Sequence, residues 1–319
     1  MQATEQTSSR LVGLGVTLVF VTALVSGVST FVNFYAVQGT NSDAFVTVRN
    51  VVTAAFLVPV ALVGARTFGS RLRRVDWGRL ALIGLIGGAI PFLLFFRGIE
   101  LATQAGGAAT ATFAYRTLFI MASVFGVVFL RERFQWRVTV AAALILGGNL
   151  LLLSLVSPLW TNGTAYVLAA TVLWAAEYTL SRRVMRDVPS GTVALGRMGF
   201  GACFLVGYLV LTSQVGSVAA FSGAQWEWLL ISAVLLTAFV GVWYAGLQRV
   251  EVGVATSVLV LGFPITFLLS ITLQGSAFTF AQLAGAAVVV AGVVLAVGRS
   301  QFRATWQYLT SATLTRPTA

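Results

Sequence analysis

The run VGVATSVLVLGFPITFLLSITLQGSAFTFAQLAGAAVVVAGVVLAVG, residues 252–298, contains no Asp, Glu, Lys or Arg. A bilayer's hydrocarbon core is spanned by about 20 apolar residues of helix, so this run holds two crossings, divided near Gln274 and Gly275. Residues 11–42, 138–176 and 198–226 are uncharged in the same way, and over the whole 319 residues 58% are hydrophobic while 9% are charged. That charge share is roughly a third of the usual soluble value. The chain reads as one all-α polytopic membrane domain, with no stretch outside the apolar runs long enough to fold alone.

Cutting at the Arg, Asp, Pro and Gly clusters gives ten transmembrane helices, near 12–35, 45–64, 80–97, 106–129, 137–157, 164–182, 191–213, 227–245, 253–274 and 280–299. All twenty basic residues are Arg, and short loops rich in Arg stay cytoplasmic. Arg10; Arg66, Arg71, Arg73, Arg74 and Arg79; Arg131, Arg133 and Arg137; Arg182, Arg183 and Arg186; Arg249; and Arg299, Arg303 and Arg316 fall in alternate loops or at the termini. The opposite loops hold only Arg97, and Arg49, Arg116 and Arg197 lie within spans. Both termini are therefore expected in the cytoplasm. The net charge of +11 is topological and faces membrane lipids, so nucleic acid is not an expected partner. Leu11 to Tyr35 is too long for a signal-peptide core and lacks a small-x-small cleavage pattern, so it reads as the first membrane helix.

The sequence has no His, which removes the usual zinc ligand, proton shuttle and catalytic base. Its single Cys203 sits in an apolar run, where it reads as a small packed side chain. No HExxH, GxSxG or Walker pattern occurs. No metal, cofactor or enzyme activity is expected.

A shift of 148 residues places Arg49 on Arg197, the block at Ala54, Phe56, Leu57 and Val58 on Ala202, Phe204, Leu205 and Val206, Phe95, Phe96 and Gly98 on Trp243, Tyr244 and Gly246, and Phe119 on Phe267. A charge and three blocks in one register indicate two five-helix repeats, residues 1–157 and 158–319. Five is odd, so the second repeat enters the membrane from the other side. The Arg content agrees: loop 65–79 carries five Arg and its counterpart 213–226 none. Inverted repeats of this kind build secondary transporters, in which two similar halves exchange conformations around a central site.

Ten spans in this arrangement, an Arg early in the second helix of each half, Leu130-Arg131-Glu132-Arg133-Phe134 closing the fourth helix, and Leu173-Trp174-Ala175-Ala176 in the first helix of the second half resemble the drug/metabolite transporter superfamily, EamA type. The resemblance covers about residues 12 to 299. It implies transport of a metabolite or amino-acid-like solute, in the direction of export.

A charge in the hydrocarbon region is costly and is a functional candidate by default. Arg116 lies mid-span, where it can pair with Glu177, bind an anionic substrate group or line water; the register sets it against Pro264. Glu177 is the one carboxylate in the interior of the ten spans, Glu227 standing at the first position of the eighth. Trp174, Glu177, Tyr178 and Ser181 share a helix face, and the equivalent positions of the first helix are Ser26, Ser29, Thr30 and Asn33. Thr112, Arg116, Phe119 and Ser123 form a third stripe on the fourth helix. These stripes are read as facing a shared cavity, the alternative being hydroxyls that satisfy backbone carbonyls. Arg49 and Arg197, near span ends, are read as snorkelling caps of neighbouring helices. Phe95, Phe96, Trp243 and Tyr244 line gates or a cavity, or else anchor at the interface. Pro59, Pro91 and Pro264 offer kinks or hinges, and Gly84-x3-Gly88 and Ala287-x3-Ala291 offer close helix contacts.

The function read from the sequence is a secondary transporter of a small organic solute, anionic or zwitterionic, in a prokaryotic cytoplasmic membrane. Lipids are its other partners, with a homodimer left open. The alternative is a membrane-embedded receptor or assembly subunit of the same fold.

Overall fold

The computed structural model describes residues 2–36, 41–68, 72–133, 135–155 and 158–314. Arg71, Phe134, Arg316 and residue 157, the expected end of the first half, lie outside them. The elements are α1 (Gln2–Ala36), α2 (Ser42–Phe68), α3 (Arg74–Ile83), a π-helical segment (Gly84–Ala89), α4 (Ile90–Gln104), α5 (Ala108–Arg116), α6 (Leu118–Leu130), α7 (Trp136–Leu152), α8 (Asn162–Val184), α9 (Ser190–Leu211), α10 (Gly216–Ala219), α11 (Gly223–Leu247), α12 (Val252–Leu259), α13 (Gly262–Gln274) and α14 (Phe280–Leu314). There is no strand among the described residues.

Among the described residues eight helical stretches are long and apolar enough to cross a membrane: Ser9–Asn33, Ser42–Val63, Arg74–Gln104, Ala108–Leu130, Ser190–Leu211, Gly223–Leu247, Val252–Gln274 and Phe280–Thr310. Of the other two expected spans, α7 is apolar but 17 residues long, and α8 is 23 residues long but carries Glu177, Arg182 and Arg183. Helix starts follow local chemistry. Thr161 Oγ1 accepts from the Thr164 N–H at the head of α8, and Ser222 and Gln225 exchange side-chain and backbone bonds at the head of α11.

The expected spans 106–129 and 253–274 are each interrupted. In the first, Thr117 separates α5 from α6 and its hydroxyl donates to the Ala114 carbonyl at 2.6 Å. In the second, Val260 and Leu261 separate α12 from α13, and Pro264 in the first turn of α13 has no N–H to continue the ladder. Pro91 likewise follows the π-helical segment, whereas Pro59 lies inside unbroken α2.

Several packing pairs exchange when the halves are exchanged, although α1 also packs on α14 and α8 makes no matching contact of that extent with α7. The first helix, α1, packs on α11 and α13; its counterpart α8 packs on α4 and α6. Second helices α2 and α9 pack on each other, as do α7 and α14. One contact repeats residue by residue: Gly98 has Gly163 O and Val167 Cγ2 each 2.8 Å from where a Cβ would stand, and 148 residues away Gly246 meets Gly15 O and Val19 Cγ2 at 3.2 and 2.7 Å. Gly84 and Gly88 do pack closely, on Phe200, Gly201 and the Arg197 carbonyl. Ala287 and Ala291 do not: both are exposed, and α14 instead approaches α7 through Gly285 against Gly148 and Gly292 against Ile145. Cys203 is also exposed rather than packed.

Arg-rich segments gather at one end of the bundle. There Glu132 meets Val252, Arg182 donates to the Gln248 carbonyl and the Arg137 guanidinium lies against Gly298. At the other end Asn41 donates to Gln214 at 2.9 Å and Tyr208 to Asp43 at 3.2 Å.

Gly163→Ala and its counterpart Gly15→Ala should each lower the thermal unfolding temperature of the detergent-solubilised protein, because neither position has room for a methyl group. Gly199→Ala, with nothing within 4 Å, should raise it or leave it unchanged, since Ala is favoured over Gly in a helix by about 1 kcal/mol. Equal behaviour of the three would contradict the packing.

Candidate functional site

Pro91 sets up the centre of the molecule. Lacking an N–H, it leaves the carbonyl four residues earlier, that of Gly87, without its helical donor. Trp174 Nε1 and Arg197 Nη2 each donate to that oxygen at 3.1 Å. Asn50 Nδ2 donates to the next carbonyl, of Gly88, also at 3.1 Å. The π-helical segment is thereby tied to α2, α8 and α9 by side chains, and Gly87 lets the Glu177 side chain lie directly on its backbone.

Glu177 is fully buried. Its Oε1 accepts from the Ser181 and Tyr244 hydroxyls. Its Oε2 faces Arg197 Nε at 3.6 Å, an ion pair too long for a hydrogen bond. Glu177 Oε2, Arg197 Nε and Nη1, and Arg49 Nε and Nη2 are all buried without a hydrogen-bond partner. Arg49 and Arg197 both lie against the Phe92 ring, at 5.4 and 5.9 Å from its centroid. The cluster thus holds two guanidiniums against one carboxylate, under an aromatic lining. Phe95, Tyr115 and Trp174 contact one another with centroids 5.0–5.6 Å apart, and Tyr178 packs on Trp243 at 4.8 Å.

Arg116 belongs to a second polar site. Its Nη1 donates to Asn149 Oδ1, its guanidinium lies 4.1 Å over the Phe263 ring, and Ser26 and Thr256 help line a cavity of about 20 Å³ beside it. Both helix interruptions meet there. Tyr115 joins the two sites, contacting Trp174 on one side and Phe263 on the other.

Several sequence expectations change. Glu177 pairs with Arg197 and not with Arg116. Arg49 and Arg197 do not snorkel; they are 3% and 2% exposed, because α2 and α9 pack on each other and turn both side chains inward. Trp243 and Tyr244 are fully buried, not interfacial. The polar stripe of α1 divides: Ser26 reaches the Arg116 cavity, Asn33 bonds Ser29 and accepts from Ser232 of α11, and Thr30 is exposed. Thr112 is half-buried on α5, Ser123 bonds the Phe119 carbonyl, and Pro264 is buried at the α12–α13 break. The sequence reading overlooked Asn50, Asn149, Tyr115, Phe92 and Phe263. The two Asn carried a usable signal, a lone amide inside an apolar run; the aromatic rings did not.

Toward the Arg-poor end a polar vestibule of about 850 Å³ is lined by Asn41, Asp43, Arg97, Glu100, Tyr166 and Tyr208, with Phe96 at its wall. Phe96 separates it from Arg49, whose guanidinium is 5.9 Å from the ring centroid. At the Arg-rich end a latch joins the two stretches of chain: Glu132 Oε1 accepts from the Val252 N–H at 2.9 Å, and Gln135 donates to Glu251 at 3.4 Å. Burial pushes the Glu132 carboxyl above the usual range; the Val252 N–H opposes this, the charge of Glu251 adds to it, and Arg182 and the Gly253 N–H oppose it.

Two consecutive stretches of the chain, residues 13–154 and 161–298, match the family described as "EamA-like transporter family". No curated protein matches it. Among solved structures 28 chains match; one of them, titled "Crystal structure of protein", is 18% identical, with 88% of this chain and 96% of that one covered and a TM-score of 0.71. At that identity the likeness is one of fold.

Breaking a buried ion pair from one side costs about 3–5 kcal/mol, so Arg197→Gln should sharply lower the yield of folded protein in size-exclusion chromatography. The double change with Glu177→Gln should restore much of it; failure to do so would mean that Arg197 is needed for the Gly87 carbonyl rather than for Glu177. The raised carboxyl of Glu132 holds its proton more tightly in the folded state than in the unfolded one. Its contribution is present below the usual carboxylate value of about 4.3 and is lost as pH rises through the raised folded value. Thermal unfolding of Glu132→Gln across that window should be flatter than that of the parent, and parallel curves would exclude Glu132 as the source.

Proposed function

The chain belongs to the EamA-like transporter family, and we propose that it is a secondary transporter that carries a small organic anion or zwitterion by alternating access. It is an integral membrane protein. In this reading ten helices form two inverted five-helix repeats, residues 1–157 and 158–319, with both termini in the cytoplasm of a prokaryotic cell. Exchange of packing pairs between the halves supports the repeat, and collection of the Arg-rich segments at one end supports the orientation. The interrupted fourth helices, α5–α6 and α12–α13, match the way transporters bring broken helices to a central site.

The observation that carries the solute class is the imbalance around Phe92. Two buried guanidiniums face one carboxylate, and four of their nitrogens, with Glu177 Oε2, have no hydrogen-bond partner. An unmade hydrogen bond to a buried group costs about 1–3 kcal/mol, more for a charged one. A carboxylate or phosphate oxygen placed there would remove that cost and cancel the excess charge, while Trp174, Tyr115 and Phe95 would enclose the rest of the solute. The vestibule behind Phe96 is the route to one side, and opening the Glu132–Val252 latch is the route to the other. Export, energised by a gradient, is the direction that the family resemblance favours.

Proteoliposomes carrying the purified chain, assayed by counterflow with a panel of labelled organic anions, zwitterions, neutral solutes and cations, would test this reading. Anions or zwitterions should exchange, and Arg49→Gln should reduce their exchange at least tenfold while the protein still folds. Exchange confined to cations or neutral solutes, or a fully active Arg49→Gln, would overturn it. For orientation, Arg133→Cys and Trp160→Cys on a Cys203→Ala background should label from the inside and the outside of right-side-out vesicles respectively; the reverse pattern would invert the topology.

A further inference from the structure

Helix α14 does not end where its uncharged run ends, at Gly298. Gly298 adopts φ 71° and ψ 164° inside it, and the chain resumes as a helical tail, RSQFRATWQYLT, residues 299–310. The Ala304 backbone packs on Gly13 of α1. Phe302 and Trp306, 59% and 63% exposed, stay clear of the bundle. Arg299, Phe302, Arg303 and Trp306 recur at i, i+3, i+4 and i+7, so they share one face, and that face forms a wall of a crevice of about 1020 Å³. Its opposite wall is Arg137 from α7, and its floor is Ala291, Val294 and Leu295 of α14. The Arg137 guanidinium lies against Gly298, where no side chain would fit, and its Nε is buried without a hydrogen-bond partner.

We propose that this crevice binds an anionic phospholipid, its phosphate held among Arg137, Arg299 and Arg303 and an acyl chain lying along Val294 and Leu295. Two complementarities argue for that occupant. No Asp or Glu lines the crevice, so its three guanidiniums are unbalanced by protein charge. The basic rim sits just past the end of the uncharged run at Gly298, whereas the apolar floor of Ala291, Val294 and Leu295 runs back into it, which matches a molecule with a charged head and an apolar tail. Exposed Trp and Phe beside Arg on a helix lying at the bundle's end are the composition of an interfacial segment. The site lies on the Arg-rich face, the one that would meet the anionic cytoplasmic leaflet.

The test uses the full chain, delipidated in detergent and titrated with phosphatidylglycerol, phosphatidylcholine and glycerol 1-phosphate, with bound molecules counted by native mass spectrometry. Phosphatidylglycerol should bind at least about tenfold more tightly than phosphatidylcholine. The double variant Arg299→Gln, Arg303→Gln should lose roughly thirtyfold in that affinity, the usual weight of two such charges at an anionic surface. Arg183→Gln with Arg186→Gln, exposed at the same end, should change nothing. Equal binding of the two lipids, or an equal loss in the control pair, would overturn the site. Equal affinity for glycerol 1-phosphate would make it a soluble-anion site instead and would also overturn the proposal. Trp306→Ala keeps every charge and should still weaken phosphatidylglycerol binding; it serves as the test where the double Arg variant fails to fold, and unchanged binding in it would count against the lipid.

Discussion

Arg197 is the side chain on which the centre of this protein depends. Its guanidinium pairs with Glu177 and donates to the Gly87 carbonyl, so it joins a carboxylate on α8 to the π-helical segment between α3 and α4. In a hydrocarbon environment no water is available to replace either partner, and every polar group has to be satisfied within the protein. The ion pair and the backbone irregularity are therefore mutually dependent. Pro91 frees the carbonyl that Arg197 uses, and Arg197 makes that freed carbonyl tolerable.

Close approach of backbones makes the arrangement possible. Gly87 accommodates Glu177, and Gly88 seats the π-helical segment on α9 at Arg197 itself. In lipid there is no hydrophobic drive to press one apolar helix on another, so tight contact between small residues supplies much of the association energy. The paired contacts Gly98 with Gly163 and Gly246 with Gly15 do this twice between the halves. Because the two contacts are equivalent, each half has the same attachment to the other.

The polar groups form two clusters beyond the vestibule. Arg49 stands behind Phe96 at the inner edge of the vestibule, Arg197 and Glu177 lie deeper, and Arg116 closes the region where both fourth helices are interrupted. Tyr115 touches both clusters.

The sequence by itself determined that the chain is all-helical and membrane-spanning, where its long apolar stretches fall, and that two similar stretches follow one another. These are one-dimensional quantities: run length, charge position and internal similarity. It also marked Arg49, Arg116, Glu177 and Arg197 as costly groups requiring partners. Tertiary structure alone decided who the partners are. Lipid is as apolar as the protein interior, so hydropathy does not report which face of a helix is buried, and Cys203, Ala287 and Ala291 were each assigned inward when they point outward. A π-helical segment adds a residue to a turn and rotates everything beyond it, so the azimuth of Trp174's and Arg197's acceptor could not be read from helical spacing. The choice of Arg197 over Arg116 as the partner of Glu177 follows from α8 and α9 both packing on the π-helical segment, an arrangement that exists only once the helices are assembled.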